Sequence, residues 1–169
     1  MLSRLTYEKI WLKPSDRPKI SQTCIIFDWD DTILCTTFLA PHTNLIYEPN
    51  IKFPATLQKK LTELDDVAWE LLSKSKKYGK TYIVTNAAEG WVELSAARFL
   101  PKVFKEIQSN VTIISARTRY ERLYPRNYQK WKVQAFLETR ADMEEDAITN
   151  LVALGDNIFE IEAAYILGN

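Results

Sequence analysis

The sequence predicts an α/β protein built on a central parallel sheet, because short apolar runs alternate with helical stretches. Four largely apolar runs stand at 24–27, 82–84, 111–116 and 150–154. Such runs are typical of strands that are buried on both faces of a parallel sheet. With 169 residues, the chain is long enough for one domain with a sizeable core.

Composition indicates an ordinary globular protein, with 46% hydrophobic and 26% charged residues. The 22 basic and 22 acidic residues cancel, which gives no support for nucleic-acid binding or attraction to a membrane surface. No apolar run approaches the roughly 18 residues of a membrane-spanning helix, and the first 19 residues lack a signal-peptide core. Cys24 and Cys35 are expected to be reduced thiols. We therefore expect a soluble, cytoplasmic protein, and the oligomeric state stays open.

The order of elements can be followed along the chain. Residues 1–22 are expected to form a lead-in that packs on the domain through Ile10 and Trp11, before a single domain at 23–169. The segment 33–54 sustains no helical or strand period, and its histidine, His42, is interpreted as a solvated loop residue rather than a catalytic one.

The remaining segments favour helices. Leucine, valine and alanine at 3- and 4-residue spacing predict an amphipathic helix over 55–78, which Gly79 ends. Further helices are expected at about 88–100, 127–140 and after 157, with only a short helical turn at 103–107 beyond Pro101.

Three carboxylates follow the first predicted strand: Asp28, Asp30 and Asp31. Carboxylates this close repel one another unless a cation or a proton lies between them, and oxygen ligands suit Mg²⁺. Asp28 and Asp30 are two apart and can face one ligand, so that one attacks an electrophile while the other handles a proton. The alternative is a calcium-type loop or an acidic turn.

Polar residues also follow the second and third strands. Thr85 and Asn86 are suited to hold a phosphate oxygen, or else to cap the next helix. The arginines after the third strand either recognise an anionic substrate or form a solvated loop paired with Glu121. They are Arg117, Arg119, Arg122 and Arg126.

A lysine and a further aspartate complete the candidate residues. Lys132 shares the core side of its helix with Ala135 and Phe136, and a buried ammonium needs a carboxylate or phosphate partner. Lys130 projects roughly to the opposite side of the helix and is the second candidate for the buried lysine. Asp156 follows the last strand and either binds a metal or caps the final helix.

These segments resemble the four motifs of the haloacid dehalogenase (HAD) superfamily, in the family's order. DWDDT at 28–32 resembles motif I, the strand ending in Thr85 resembles motif II, Lys132 falls in the region of the motif III lysine, and GDNIFE at 155–160 resembles motif IV. The resemblance implies a Rossmann-like three-layer α/β/α core with a flap at about 33–54. The gaps between motifs leave no room for a large cap domain. The family usually adds one more edge strand after motif IV, and whether this chain lacks it stays open.

The same resemblance implies a Mg²⁺-dependent phosphatase, a hydrolase that works through an aspartyl-phosphate. Asp28 would attack phosphorus, and Asp30 would protonate the leaving group and then activate water. The metal would be held by Asp28, the backbone carbonyl of Asp30, and Asp156.

Further roles are implied for the remaining motif residues. Thr85, Asn86 and Lys132 would bind the phosphoryl group. Glu160 stands where the family has aspartate, and it either contacts the metal shell through water or orients Lys132. Trp29, between the two aspartates, either shapes the pocket or packs beneath it.

The substrate stays open at this point. A site without a cap resembles family members that act on phosphoproteins or other macromolecules, and a small-metabolite phosphatase is the alternative. The alternative from another functional class is an interaction module that has the same fold and is catalytically weak or inactive. A phosphomutase is disfavoured because it would need a cap to exclude water.

Overall fold

A computed structural model describes residues 13, 19–39, 48, 50, 52–143 and 148–168. Its sheet has four strands: β1 Thr23–Phe27, β2 Lys80–Thr85, β3 Thr112–Ser115 and β4 Asn150–Leu154. All pairings are parallel and the order is β3-β2-β1-β4. The predicted α/β class, the parallel sheet and its four strands are confirmed, and the architecture is consistent with a Rossmann-like α/β/α fold.

The central position of β1 determines where the ends of the strands lie. All five residues of β1 are buried. Phe27 is level with Ile83 of β2 and with Leu154 of β4. The residues that follow β1 and β4, and Thr85 at the end of β2, therefore meet at one edge of the sheet.

Among the described residues, seven α-helices surround the sheet. They are α1 Thr36–Leu39, α2 Ala55–Ser75, α3 Trp91–Phe99, α4 Pro101–Asn110, α5 Ala116–Tyr120, α6 Tyr128–Asp142 and α7 Ile158–Gly168. The predicted helices are confirmed, with ends that shift by a few residues. The expected turn at 103–107 is wrong, because α4 is a ten-residue helix.

The extended form of α4 has a physical explanation. Pro101 occupies the first position of the helix, where its missing N–H breaks no helical hydrogen bond. The carboxylate of Asp65, from α2, accepts the backbone N–H groups of Lys102 and Val103 at 3.0 Å each. An anion at a helix N-terminus satisfies unpaired donors and interacts favourably with the helix dipole.

Alternate residues of β1 face two separate hydrophobic cores. Ile25 and Phe27 pack with the helices α2, α3 and α4, whereas Cys24 and Ile26 pack with α6 and α7. Both cysteines are free thiols, as predicted. Burial raises the pKa of the Cys24 thiol to about 11.

Strand β4 is one of the two edge strands of the sheet in the part of the chain that the structure describes, and its surroundings are apolar. Val152 and Leu154 are 40% and 38% exposed, and on α7 Ile161 and Tyr165 are 65% and 73% exposed. No strand pairs with the outer side of β4 among these residues.

Several expectations concern parts of the chain outside the described residues. These are the contacts of Ile10 and Trp11, most of the lead-in, and residues 40–47, 49 and 51 of the flap, which include His42. Of the flap, the structure describes residues up to Leu39, with helix α1, and a few positions beyond. Among described residues, no helix combines the length and apolar character that crossing a membrane requires.

Replacing Asp65 with alanine should destabilise the protein by about 2 kcal/mol, because two charge-assisted hydrogen bonds at the start of α4 are lost. The matched control is Asp66→Ala. Asp66 forms an ion pair with Lys102, with both side chains about half exposed, and exposed ion pairs contribute little. Urea unfolding of the two variants checks this expectation, and equal losses would contradict it.

Candidate active site

A cleft opens at the edge of the sheet where β1, β2 and β4 end. Its volume is about 580 Å³. It is lined by Asp28, Asp30, Asp31, Thr36, Asn86, Ala87, Trp91, Tyr128, Lys132, Asp156, Asn157, Phe159 and Glu160. The carboxyl edge of a parallel sheet is where open α/β folds bind ligands. The structure thus brings together the candidate residues Asp28, Asp30, Asn86, Lys132, Asp156 and Glu160, with Thr85 in contact with Asp30.

Asp28 is the carboxylate at the floor of the cleft. It is 7% exposed, and its backbone N–H donates to the carbonyl of Leu154 at 2.8 Å. That bond continues the β1–β4 ladder by one residue, so the backbone of Asp28 is fixed by the sheet. Its Oδ1 lies 2.6 Å from the Lys132 ammonium.

Lys132 is the buried cation of the site, with 1% of its surface exposed. Its Nζ lies 2.6 Å from Asp28 Oδ1, 2.7 Å from the carbonyl oxygen of Val84 and 2.9 Å from Glu160 Oε1. Three partners match the three N–H donors of an ammonium. The predicted core-side position of Lys132 and its carboxylate partners are confirmed. Lys130 is exposed and stands over the ring of Tyr124, 4.4 Å from its centroid.

The electrostatics of Asp28 reflect two opposing effects. Burial raises the pKa of its carboxyl to about 6, and the Glu160 charge adds to that rise. The Lys132 ammonium acts in the opposite direction, through its charge and its hydrogen bond. Burial has the larger effect, because it removes the water that would solvate the carboxylate.

Asp30 lies beside the same cleft in a different environment. Its Oδ1 accepts the Thr36 hydroxyl at 2.7 Å and the Trp91 indole N–H at 2.8 Å. Its Oδ2 accepts the Thr85 hydroxyl at 3.1 Å. Asp28 is thus paired with a cation, whereas Asp30 is held by three neutral donors.

Thr85 and Asn86 close the β2 side of the site. Thr85 is 1% exposed, and its Oγ1 accepts the backbone N–H of Ala87 at 2.9 Å while it donates to Asp30. The amide of Asn86 donates to the Tyr128 carbonyl at 3.2 Å, and its buried Oδ1 has no hydrogen-bond partner. The alternative in which either residue caps the next helix is wrong, because α3 begins at Trp91 with Gly90 before it.

The other two residues of the DWDD segment have structural contacts. Asp31 has a φ of 54°, in the left-handed region that aspartate tolerates, and its Oδ1 accepts the backbone N–H of Thr37 at 2.8 Å. Trp29 is fully buried, and its indole N–H donates to Ser95 Oγ at 2.9 Å. The alternative in which Trp29 packs beneath the site is therefore the observed one.

Among the described residues, three carboxylates form a group that could hold a metal ion: Asp28, Asp156 and Glu160. They offer oxygen atoms that all lie within 4.8 Å of one another. Glu160 Oε2 is buried without a hydrogen-bond partner. An unpaired buried carboxylate oxygen beside two further carboxylates fits a hard divalent cation such as Mg²⁺. The Asp30 carboxylate lies outside this group, which is compatible with the backbone contact that the resemblance implies.

Gly155 explains how the longer Glu160 fits at this position. A Cβ at residue 155 would lie 2.2 Å from the Cγ of Glu160. The side chain of Glu160 therefore passes over Gly155 to reach Lys132, which no larger residue at 155 would permit without a shift.

The arginines after β3 do not line the cleft. Arg117 pairs with Glu121 at 3.1 Å, as the loop interpretation predicted, and Arg119 pairs with Glu138. An anion-binding role for these two is disfavoured, because their charges are already matched. The residues that sequence reasoning missed are Thr36 and Trp91, both hydrogen-bonded to Asp30. The one feature of the sequence that could have pointed to Trp91 is that it is an aromatic residue with an N–H donor, six positions after Thr85.

Comparisons with protein-family models, with curated proteins and with solved structures found no match to this chain. The resemblance to the HAD superfamily therefore rests on the four sequence motifs and stays a prediction.

Replacing Lys132 with methionine, in the absence of divalent metal, should destabilise the protein by about 3 kcal/mol at pH 8, because Asp28 and Glu160 are left as unpaired buried charges. The pKa of Asp28 is already raised to about 6 and should rise further. The folded state then binds more protons than the unfolded state, so stability should fall as pH rises through that window. Urea unfolding of the variant and of the unchanged protein at pH 5 and pH 8 measures how the loss of stability depends on pH.

The control for this variant is Lys130→Met, which removes an exposed lysine from the same helix. Its effect should be small and the same at both pH values. If the loss of stability in Lys132→Met does not depend on pH, the explanation by buried ion pairs is contradicted.

Proposed function

We propose that this protein is a Mg²⁺-dependent phosphatase that hydrolyses a phosphomonoester through an aspartyl-phosphate. The observation that carries the proposal is the contrast between two aspartates beside one cleft. Asp28 is buried and paired with Lys132, and Asp30 is held separately by neutral donors. The four motifs support the same activity.

Asp28 is the proposed nucleophile. With its pKa raised to about 6, the carboxyl is mostly ionised above neutral pH. A carboxylate oxygen attacks phosphorus, the bond from phosphorus to the leaving oxygen breaks, and an acyl phosphate forms on Asp28. Lys132 contacts Asp28 directly and offsets negative charge that builds up on the transferring group.

Asp30 is the proposed acid and base. In the first step it gives a proton to the leaving oxygen. In the second step it takes a proton from water, whose oxygen attacks phosphorus while the bond between Asp28 and phosphorus breaks. Inorganic phosphate leaves and both aspartates return to their starting state.

Asp28, Asp156 and Glu160 would hold Mg²⁺, together with the backbone carbonyl of Asp30 that the resemblance implies. When bound, the ion supplies positive charge beside the phosphoryl oxygens. Gly155 allows Glu160 to reach this group.

The lining of the cleft bears on the substrate. Five carboxylates and one lysine line it in the described part of the chain. Even with a divalent ion, this balance disfavours substrates with several phosphate groups and favours a single phosphomonoester. Because the described cleft is open, the phosphate can be on a protein side chain or on a small molecule.

Purified protein should hydrolyse an aryl phosphate in the presence of Mg²⁺ but not with EDTA, and Asp28→Asn should reduce kcat by at least about a thousandfold, because the covalent route is lost. Asp66→Asn, a change of the same kind on the distant helix α2, should keep full activity. Phosphate release measures turnover. A folded protein without metal-dependent turnover on aryl phosphate, phosphopeptide or sugar phosphate would favour the interaction module.

Mg²⁺ binding by titration calorimetry should weaken by at least roughly tenfold in Asp156→Asn, because one carboxylate charge is removed from the site. Binding to the unchanged protein should also weaken as pH falls through about 6, since protons compete for Asp28. Asp66→Asn again serves as the control. Unchanged affinity in Asp156→Asn would remove Asp156 from the metal site.

A further inference from the structure

Asp30 is anchored more firmly on one of its oxygens than on the other. Oδ1 accepts both the Thr36 hydroxyl and the Trp91 indole N–H, whereas Oδ2 accepts only the Thr85 hydroxyl among the described contacts. The resemblance assigns Thr85 to the phosphoryl group. A hydroxyl that turns toward phosphate would leave Oδ2 free, while Oδ1 would keep its two donors.

We propose that Trp91 is a positioning residue for Asp30: its indole N–H fixes Oδ1, so that Oδ2 is the oxygen that exchanges protons in the cleft. This inference rests on the proposed phosphatase activity. Trp91 lines the same cleft but takes no proton itself, because an indole N–H is a donor only.

The donor from Trp91 differs in kind from those of the two threonines. A threonine hydroxyl rotates and also accepts, and the Thr36 hydroxyl has a second acceptor in the Leu34 carbonyl at 3.3 Å. The indole N–H lies in the plane of a rigid ring, so its direction is set by the position of the ring. Trp91 is therefore the donor best able to keep the carboxylate in one orientation.

A chain of hydrogen bonds links the backbone of Trp91 to the DWDD segment. The Ser95 hydroxyl donates to the Trp91 carbonyl at 2.7 Å, and Ser95 Oγ accepts the Trp29 indole N–H at 2.9 Å. Trp29 precedes Asp30 directly in the chain. The segment that carries Asp30 is thus joined to α3 at two points, through Trp91 to Asp30 and through Trp29 to Ser95.

The test uses Trp91→Phe, which keeps an aromatic ring and removes the N–H. The readout is kcat/KM for two phosphomonoesters, because that ratio reports steps up to departure of the leaving group. An alkyl phosphate needs a proton from Asp30, and p-nitrophenyl phosphate needs little help. We expect roughly a tenfold to hundredfold loss for the alkyl ester and a much smaller loss for the nitrophenyl ester.

The matched control is Trp69→Phe. The Trp69 indole N–H also donates to a carboxylate, Glu106 Oε2 at 3.2 Å, far from the cleft along the chain and outside its lining. This variant should leave the ratio of the kcat/KM values for the two substrates unchanged. Equal losses for both substrates in Trp91→Phe would overturn the positioning role, because a purely structural defect reduces both alike.

A second measurement does not depend on turnover. In ¹H–¹⁵N spectra, the Trp91 indole resonance, assigned by its disappearance in Trp91→Phe, should move upfield in Asp30→Ala, while that of Trp69 stays in place. An unmoved Trp91 resonance would overturn the contact. Absence of turnover in the unchanged protein would overturn the phosphatase activity and, with it, the catalytic purpose of the contact, whereas the spectra would still report whether the contact exists.

Discussion

The ammonium of Lys132 is the contact on which the candidate site depends. It joins the end of β1 through Asp28, the end of β2 through the Val84 carbonyl and the first turn of α7 through Glu160. Burying an ammonium or a carboxylate alone is strongly unfavourable, and each becomes tolerable here only because the others are present. One side chain from α6 thus supplies the charge that lets three elements converge at the sheet edge.

Asp28 and Asp30 of the DWDD segment are close in sequence but lie in different environments. Asp28 is 7% exposed and faces a cation, and burial raises its pKa. Asp30, two residues later, contacts two hydroxyls and an indole. Groups with such different surroundings are suited to different chemical tasks, as the proposed roles of Asp28 as nucleophile and Asp30 as proton carrier require.

Much of the fold and part of the site could be predicted from sequence because the signals were local. The strands appeared as short, largely apolar runs, and the helical face of Lys132 already required an anionic partner. The length of α4 was missed because its first turn is stabilised by Asp65, which lies 37 and 38 positions earlier than its two partners. Trp91 was missed for a similar reason: its approach to Asp30 depends on how residues 86–90 turn, and no local pattern encodes that geometry.

The central place of β1 also bears on how the protein is made. β1 lies between β2 and β4, yet β4 is synthesised more than a hundred residues later, and Lys132 follows Asp28 by 104 positions. Until β4 leaves the ribosome, one edge of a strand whose five residues are all buried in the folded protein lacks its partner. Contacts this distant in sequence slow folding, and unpaired apolar edges invite association between chains. A nascent chain that ends before β4 therefore leaves one edge of β1 open to association, and Asp28, the proposed nucleophile, is among the last groups to reach its final surroundings.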